Sequence, residues 1–511
     1  MNDGDLVLGI DAGTGGLRAG LFDLQGHPLG FHDQPYDTLY PRPGWAEQRP
    51  ADWWSALVGA VRGCLAVSGQ DAKRVIGLSV DAPCNILLVD DAGTPLTNSL
   101  IWMDLRGAEA ARRLTETRDP VLRYCGQDVP AEWPLPKALW LKEDDPALWH
   151  RATHLVEQIA WLTWRLTGEW VIPLNTAAAK WHYRARDDGH VPAGWPMALL
   201  EAVNLAELPD KVPGSPLTMG SSGGDLSPAA AAELGLPPGI AVAMSGIDAH
   251  AGMVGMNVLA AGTVALITGT STVQLVQSEQ AVFDAGLWGP FESAVIDGDW
   301  TIEAGQSSTG GTVRWMLDLL SGTLPTGERR YEAADAAAAA VPAGAEGLTL
   351  LDFWQGSRTP IKDPAARGTI WGLTPAHGPG HLLRSVYEGT AYGNRHILEK
   401  LKSLGVPAER IVACGGGTRS SLWLQILADV AGLPLHLPEV ADATSLGTAI
   451  CAAVGAGAFP DLPSAGAAMV RLASTIEPDT ASSSTYDEGY HRYRDTYTAL
   501  APLFHGAEEG P

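Results

Sequence analysis

The chain has 511 residues, long enough for two large domains or three of ordinary size, and its 46 % hydrophobic and 18 % charged content describes a well-cored globular protein and excludes a disordered one. Its 34 Lys+Arg against 58 Asp+Glu leave a net charge of −24, which argues against nucleic acid or anionic membrane as the main partner, because both are held by clustered positive charge. Five cysteines (Cys64, Cys84, Cys125, Cys414, Cys451) without CxxC spacing point to neither a disulfide framework nor a zinc site. The first residues, MNDGDLVLGIDAGTG, lack a basic leader and a long apolar run, and no segment offers about 20 uninterrupted apolar residues, so a soluble, cytoplasmic protein is expected.

In chain order, LVLGIDAG (6–13) and LRAGLFDLQG (17–26) are two apolar runs joined by a short Gly-Thr link, which predicts a hairpin. An amphipathic helix near 51–67 and the runs VIGLSVDA (75–82) and NILLVDDAGTPL (85–96) complete an α/β pattern. Residues 205–240, rich in Pro, Gly and Ser, read as connecting loops with one short helix. The pattern then begins again. AVAMSGIDAHAGMVG (241–255) reads as a strand entering a helix, and TVALITGTSTVQLV (263–276) as a second hairpin on a Gly-Thr turn, about half the chain from the first. Two related halves account for the recurrence; chance likeness between two Gly-Thr turns is the alternative. Further on, the Ala-rich 332–340 predicts a surface helix. Segment 405–438 reads as strand, glycine turn, helix and strand; 443–459 is a small-residue helix able to pack closely on a neighbouring backbone; and Tyr486, Tyr490 and Tyr493 mark a capping helix.

No GxxxxGK[ST] is present, and no strand leads into GxGxxG, so neither a P-loop nor a dinucleotide fingerprint is available and a dehydrogenase is remote. Three glycine turns after strands remain, at 13–16, 269–272 and 415–417, flanked by Thr14, Thr270, Ser271, Thr418 and Ser420. Exposed backbone N–H groups in such turns line anions without lysine, so polyphosphate binding is the favoured reading over three ordinary turns. Two carboxylates end or follow apolar strands. Asp11 is placed to hold Mg²⁺ through water. Asp248 is either a proton acceptor in phosphoryl transfer or an N-cap for the helix behind it. His250 reads as a helix-start residue, and the Gly and Pro of HGPGH (377–381) exclude the helix that a spaced histidine metal pair needs. Most of the 18 tryptophans read as core, with Trp102 and Trp133 in loop-like contexts suited to a sugar face.

GIDAGTGGLRAGLFD, SGIDAHAGMVG, ALITGTSTVQL, VACGGGTRSSLWLQILADV and TSLGTAICAAV resemble, in order, the phosphate, catalytic and adenosine motifs of the FGGY carbohydrate kinases. GTIWGLTPAHGPGHLLRSVYE (368–388) is similar to that family's C-terminal signature, and KALWL (137–141) to its other one, departing at Ala138. The resemblance covers about residues 6 to 460. It implies an α/β, duplicated actin/hexokinase/Hsp70-like (ribonuclease H-like) two-lobe fold with an inter-lobe cleft. It divides the chain into an N-terminal lobe over 1–255, a C-terminal lobe over 256–470 and a helical extension over 471–511.

VDAPCNILLVD (80–90), WMDLRG (102–107), KW (180–181), IEAGQSSTG (302–310) and LDFWQGSRTP (351–360) are ribulokinase-like in wording and order. The Asp81-Ala82-Pro83-Cys84-Asn85 stretch is similar to D-ribulose kinases, departing at Pro83 and Asn85, while the EAGQS and GxRTP segments are similar to L-ribulose enzymes as well. The resemblance therefore implies ATP-dependent phosphorylation of the terminal hydroxyl of a ketopentose, D-ribulose ahead of L-ribulose. Xylulokinase, polyol kinases acting on erythritol, ribitol or glycerol, autoinducer kinases and a non-catalytic actin-like ATP-binding scaffold are the alternatives. It implies Asp248 as general base, Asp11 for Mg²⁺, Gly13, Thr14, Gly15, Gly269 and Thr270 along the phosphates, and Gly310, Gly416 and Ser420 beside the adenosine. Asp81, Lys180 and Glu303, with Asp248, would hold the sugar hydroxyls; otherwise Lys180 is a surface lysine and Asp81 a strand-end turn former. Sugar and ATP are the expected partners, compatible with a homodimer.

Overall fold

The computed structural model describes residues 4–506 apart from 324, 326 and 328. The chain forms two compact units, each interrupted in sequence. One contains the chain up to Leu259 with Ser278–Ile302 and Asp442–Val470; the other contains Ala260–Gln277, Glu303–Ala441 and the chain from Arg471 onward.

The first unit is built on a six-stranded sheet in the order Ser222–Asp225, Ala241–Met244, Val75–Asp81, Leu6–Gly13, Gly16–Asp23, Pro28–Pro35. The strand Leu6–Gly13 pairs antiparallel with Gly16–Asp23 and parallel with Val75–Asp81. Alternation along this strand divides its two faces. Leu6, Leu8, Ile10 and Ala12 enter a core with Trp53, Leu57 and Val61 of the helix Pro50–Ser68. The opposite face receives the helix Ala443–Gly455, and Gly9 is what lets it approach: a Cβ there would lie 1.9 Å from the Ser445 carbonyl oxygen. A four-stranded sheet of Glu47–Gln48, Ser99–Leu100, Ile86–Val89 and His154–Glu157 supports a second core containing Trp133, Trp149, Trp181 and Phe291.

The second unit repeats the scheme. Gly262–Thr268 pairs antiparallel with Thr272–Ser278 across the 269–271 turn and parallel with Ala408–Gly415, which pairs parallel with Leu435–Pro438. In the first unit Leu6–Gly13, Gly16–Asp23, Val75–Asp81 and Ala241–Met244 are joined in the same order and directions. Shared topology, beyond two Gly-Thr turns, establishes the duplication.

Three expectations change in detail. Residues 205–240 form two short helices, Leu208–Lys211 and Pro228–Leu234, and two strands, because Pro216–Leu217 finds Ile172–Pro173 and Ser222–Asp225 finds Ala241–Met244 to pair with. HGPGH opens a helix: Pro379 sits at the first turn of Pro379–Ser403, where its missing N–H costs nothing, and His381 Nδ1 accepts the Gly378 N–H. The contiguous division at 255 and 470 differs from the compact units, since 278–302 and 442–470 pack within the first. The cause is close packing: Gly255 and Gly447 let the helices Asp248–Gly255 and Ala443–Gly455 meet backbone to backbone. The C-terminal helix Ser483–Gly506 buries Tyr486, Tyr490 and Tyr493 in the second unit: the Tyr490 and Tyr493 hydroxyls donate to Glu399 and Asp352, and the Tyr486 hydroxyl accepts from the Arg384 guanidinium. No helix among the described residues is long and apolar enough to cross a membrane.

Candidate functional site

Strand register assembles an acidic centre in the first unit. Asp11 is the Cα partner of Asp81 on one neighbouring strand and of Arg18 on the other. Asp81 is fully buried, and its Oδ2 accepts the Thr448 hydroxyl from the helix Ala443–Gly455. Arg18 extends from the sheet to Asp33 and Asp442, both at 2.5 Å. Burial first, then the charges of Asp248 and Asp442, push the Asp11 carboxyl up to about 7. Burial first, and then the Asp11 charge, hold the Asp81 carboxyl well above the usual carboxylate range. Asp11 Oδ1 is a buried oxygen without a hydrogen-bond partner. A raised carboxyl with an uncommitted oxygen fits a cation, which would supply the positive charge that the centre lacks. Among the described residues no group of three or more His, Cys, Asp or Glu has metal-holding geometry.

Asp248 is the first residue of the helix Asp248–Gly255, and its Oδ1 accepts the Ala249 N–H at 2.7 Å. Ile247 occupies the capping position, so Asp248 stands one residue inside the helix with its carboxylate at the positive end of the dipole. Lys180 ends the helix Leu174–Lys180 and is only 8 % exposed, which removes the surface-lysine alternative. Its Nζ lies 5.0 Å from the Trp133 ring and 5.3 Å from that of Phe291. Trp133 is itself buried in that core.

The first glycine turn is braced from behind. The Gly13 carbonyl accepts the Tyr36 hydroxyl, the Thr14 carbonyl accepts Gln48 Nε2 at 2.7 Å, and the Thr14 hydroxyl accepts Trp102 Nε1 at 2.9 Å. Gly15 stays open, with nothing within 4 Å of where a Cβ would be. A recess of about 450 Å³ lined by Asp11, Gly15, Gly16, Arg18 and Gln34 lies alongside.

In the second unit, the Thr270 carbonyl accepts the N–H groups of Thr309 and Gly311, both at 2.9 Å, tying the 269–271 turn to the start of the helix Gly310–Leu319. Gly310 is required there, since its Cβ would lie 2.3 Å from the Gly269 oxygen. The Gly269 N–H is committed to Ser271 O at 2.8 Å. Gly415, at φ +96°, turns the chain out of its strand, and Gly416 is open. Ser420 is occupied: its Oγ caps the helix Ser421–Ala431 through the Trp423 N–H and donates to Asp335 Oδ1 at 2.9 Å. Glu303 lies on the strand Trp300–Gln306 at the beginning of this unit's middle segment.

The first unit thus gathers Asp11, Asp81 and Asp248 with the Gly13–Gly15 turn, and the second gathers Gly269, Thr270 and Gly310. Sequence reading missed Arg18, Tyr36, Asp442 and Thr448. Arg18 was legible as the hairpin partner of Asp11; Tyr36, Asp442 and Thr448 carry no local signal.

The chain belongs to the FGGY family of carbohydrate kinases: it matches that family's N-terminal domain over residues 6–255 and its C-terminal domain over 264–456. It is 31 % identical to a human FGGY carbohydrate kinase domain-containing protein, over 94 % of each chain. It is 29 % identical to a ribulokinase of Bacillus licheniformis, over 89 % of this chain and 87 % of that one. Among solved structures, a xylulose kinase from Rhodospirillum rubrum superposes with a TM-score of 0.83 at 29 % identity, covering 98 % of this chain and all of the other. The fold is the two-lobe sugar-kinase fold, and the protein is a carbohydrate kinase that uses ATP, with a divalent metal typical of its family.

Proposed function

We propose that the protein transfers the terminal phosphoryl group of ATP to the terminal hydroxyl of a ketopentose, with D-ribulose ahead of L-ribulose, giving ribulose 5-phosphate. The observation that carries this reading is the acidic centre: Asp11 and Asp81 in strand register, with Asp248 at a helix start close enough for its charge to raise Asp11. Asp248 accepts the proton of the sugar hydroxyl as that oxygen forms its bond to phosphorus and the bond from phosphorus to the ADP oxygen breaks. Mg²⁺, held through water by Asp11, would neutralise phosphate charge. Gly13, Thr14 and Gly15 receive the transferring phosphate, with Gly269 and Thr270 along the chain of phosphates and Gly310 and Gly416 beside the adenosine. Ser420 contributes by holding its helix in place, because its hydroxyl already has two partners. Lys180 and Glu303 hold sugar hydroxyls; Asp81, expected beside them, is fully buried and bonded to Thr448, so it supports Asp11 on the neighbouring strand instead. ATP and a sugar as substrates support a cytoplasmic enzyme.

Ribulose is supported by the DAPCN, WMDLRG and WQGSRTP wording and by the Bacillus licheniformis ribulokinase. Xylulose is the second reading, supported by the Rhodospirillum rubrum structure. A coupled ADP assay over D-ribulose, L-ribulose, D-xylulose, ribitol, erythritol and glycerol separates them. Asp248→Asn is expected to lower sugar-dependent turnover by about 10³-fold or more with the fold intact. Undiminished turnover in that variant removes Asp248 from its role, and ATP binding without phosphorylation of any acceptor favours the scaffold alternative.

A further inference from the structure

The turn that carries Asp248 is held by a side chain that no motif marks. Asn175 is fully buried in the helix Leu174–Lys180. Its Oδ1 accepts the Ile247 N–H at 2.9 Å, and its Nδ2 donates to the Ala294 carbonyl at 2.7 Å and lies 2.7 Å from His250 Nδ1. These partners fix the amide orientation, because a backbone N–H can only donate and a carbonyl can only accept. With Nδ2 turned toward His250, Nδ1 of that ring must be the acceptor, so the imidazole is neutral with its proton on Nε2. The same amide therefore grips the chain immediately before Asp248 and two residues after it. Gly246 completes the fit: a Cβ there would lie 2.4 Å from Asn175 Cγ and Oδ1, so only glycine lets the amide come so near.

We infer that Asn175 is the positioning residue for Asp248, fixing the carboxylate's direction by clamping Ile247 and His250, and that through its own helix it fixes Lys180 relative to the same turn. The inference rests on the reading of Asp248 as the general base. The first N–H groups of a helix have no intrahelical acceptor, so the direction of Asp248–Gly255 at its start is set by what lies around it. Here that is one amide with all three of its named partners satisfied. Its third bond, to Ala294, ties in the segment that carries Phe291, whose ring faces both His250 and the Lys180 ammonium group. A proton acceptor misplaced by about 1 Å loses about 10²-fold in rate, since the reacting groups must meet within a narrow range of distance and angle.

The test is steady-state kinetics with ATP, Mg²⁺ and D-ribulose, or the best acceptor of the panel, for Asn175→Ala, Asn175→Asp, Asp248→Asn and the Asn175→Ala/Asp248→Asn double variant. Asn175→Ala is expected to lower kcat by about 10- to 100-fold with the KM for ATP changed by less than about 3-fold. In the Asp248→Asn background the same substitution should cost less than about 3-fold, because the group it orients is already disabled. Asn175→Asp keeps an acceptor for Ile247 and loses both donated bonds, so it remains informative if the alanine variant folds poorly. It should retain slow hydrogen exchange at the Ile247 amide while losing kcat. A kcat for both Asn175 variants within about 3-fold of the parent, or an equal loss in both Asp248 backgrounds, overturns the inference. Asp248→Asn with full turnover would instead overturn the underlying assignment, whatever the Asn175 variants do.

Discussion

Gly447→Ala tests the packing that brings Asp248 and Thr448 to the acidic centre. The helices Asp248–Gly255 and Ala443–Gly455 cross at two reciprocal glycines: a Cβ on Gly447 would lie 1.8 Å from the Ala251 oxygen and 2.7 Å from the Gly255 nitrogen. A Cβ on Gly255 would meet the Ala443 oxygen and the Gly447 nitrogen at the same distances. Ordinary contact begins near 3.4 Å, so one methyl group must push the axes apart by about 1.5 Å, and the atoms it strikes are backbone that no rotamer change can clear. Overpacking usually costs about 1–3 kcal/mol, and alanine's better helix propensity returns about 1 kcal/mol. With backbone on both sides the upper end applies, and the lost contacts along both helices bring the expected net to about 3 kcal/mol. That corresponds to a fall in Tm of about 4–5 °C for a unit of about 310 residues. Displacement of the helix that starts at Asp248 should also cost about 10²-fold in kcat. Differential scanning fluorimetry and the coupled ADP assay read the two effects, with Gly322→Ala, whose Cβ would meet nothing within 4 Å, as the control. A Gly447→Ala protein melting within about 2 °C of the parent refutes the close-crossing argument.

Two further outcomes follow from the site. Asp11 titrates near 7 in the folded protein against 3.8 unfolded, so the folded state binds more protons between those values, and this group's contribution to stability is full below pH 4 and lost as pH rises through 7. Asp11→Asn should therefore raise Tm at pH 8 and leave it nearly unchanged at pH 4, and Mg²⁺ with ATP should raise the parent's Tm at pH 8 more than the variant's; equal pH profiles for parent and variant would contradict the burial of that charge. Ser420→Ala should cost about 1 kcal/mol of stability through loss of the helix cap while leaving the KM for ATP within about 2-fold. A KM raised ten-fold or more at unchanged stability would show that the hydroxyl serves the nucleotide instead.

Much of the architecture was written locally. The hairpin at 6–23 and its counterpart at 262–278 were legible because apolar alternation and a glycine link are properties of neighbouring residues. The helices at 50–68 and 443–455 and the tyrosine face of the last helix were legible for the same reason. The candidate residues Asp11 and Asp248 were found because each sits where an apolar strand gives way to glycine or helix. The roles of Asp81 and Ser420 were less visible. Asp81 reads as a sugar-hydroxyl holder or a strand-end turn former until the helix Ala443–Gly455 covers it and supplies Thr448, 367 residues away in the chain. At Ser420 the sequence shows a hydroxyl beside a glycine turn, and only the fold shows that it also caps its helix and donates to Asp335.

Hairpin spacing pointed to a duplicated scheme, and the wording and order of the motifs carried the resemblance to the FGGY carbohydrate kinases and their ribulokinase branch, because both are written in residues close together in sequence. Tertiary structure alone decided which carboxyls share a buried centre, why Gly246, Gly255 and Gly447 must lack side chains, and that Asn175 holds the turn of Asp248. Those facts depend on contacts between segments about 70 to 370 residues apart, and the forces involved, burial of charge and backbone collision, act over a few ångströms and leave no periodicity to read.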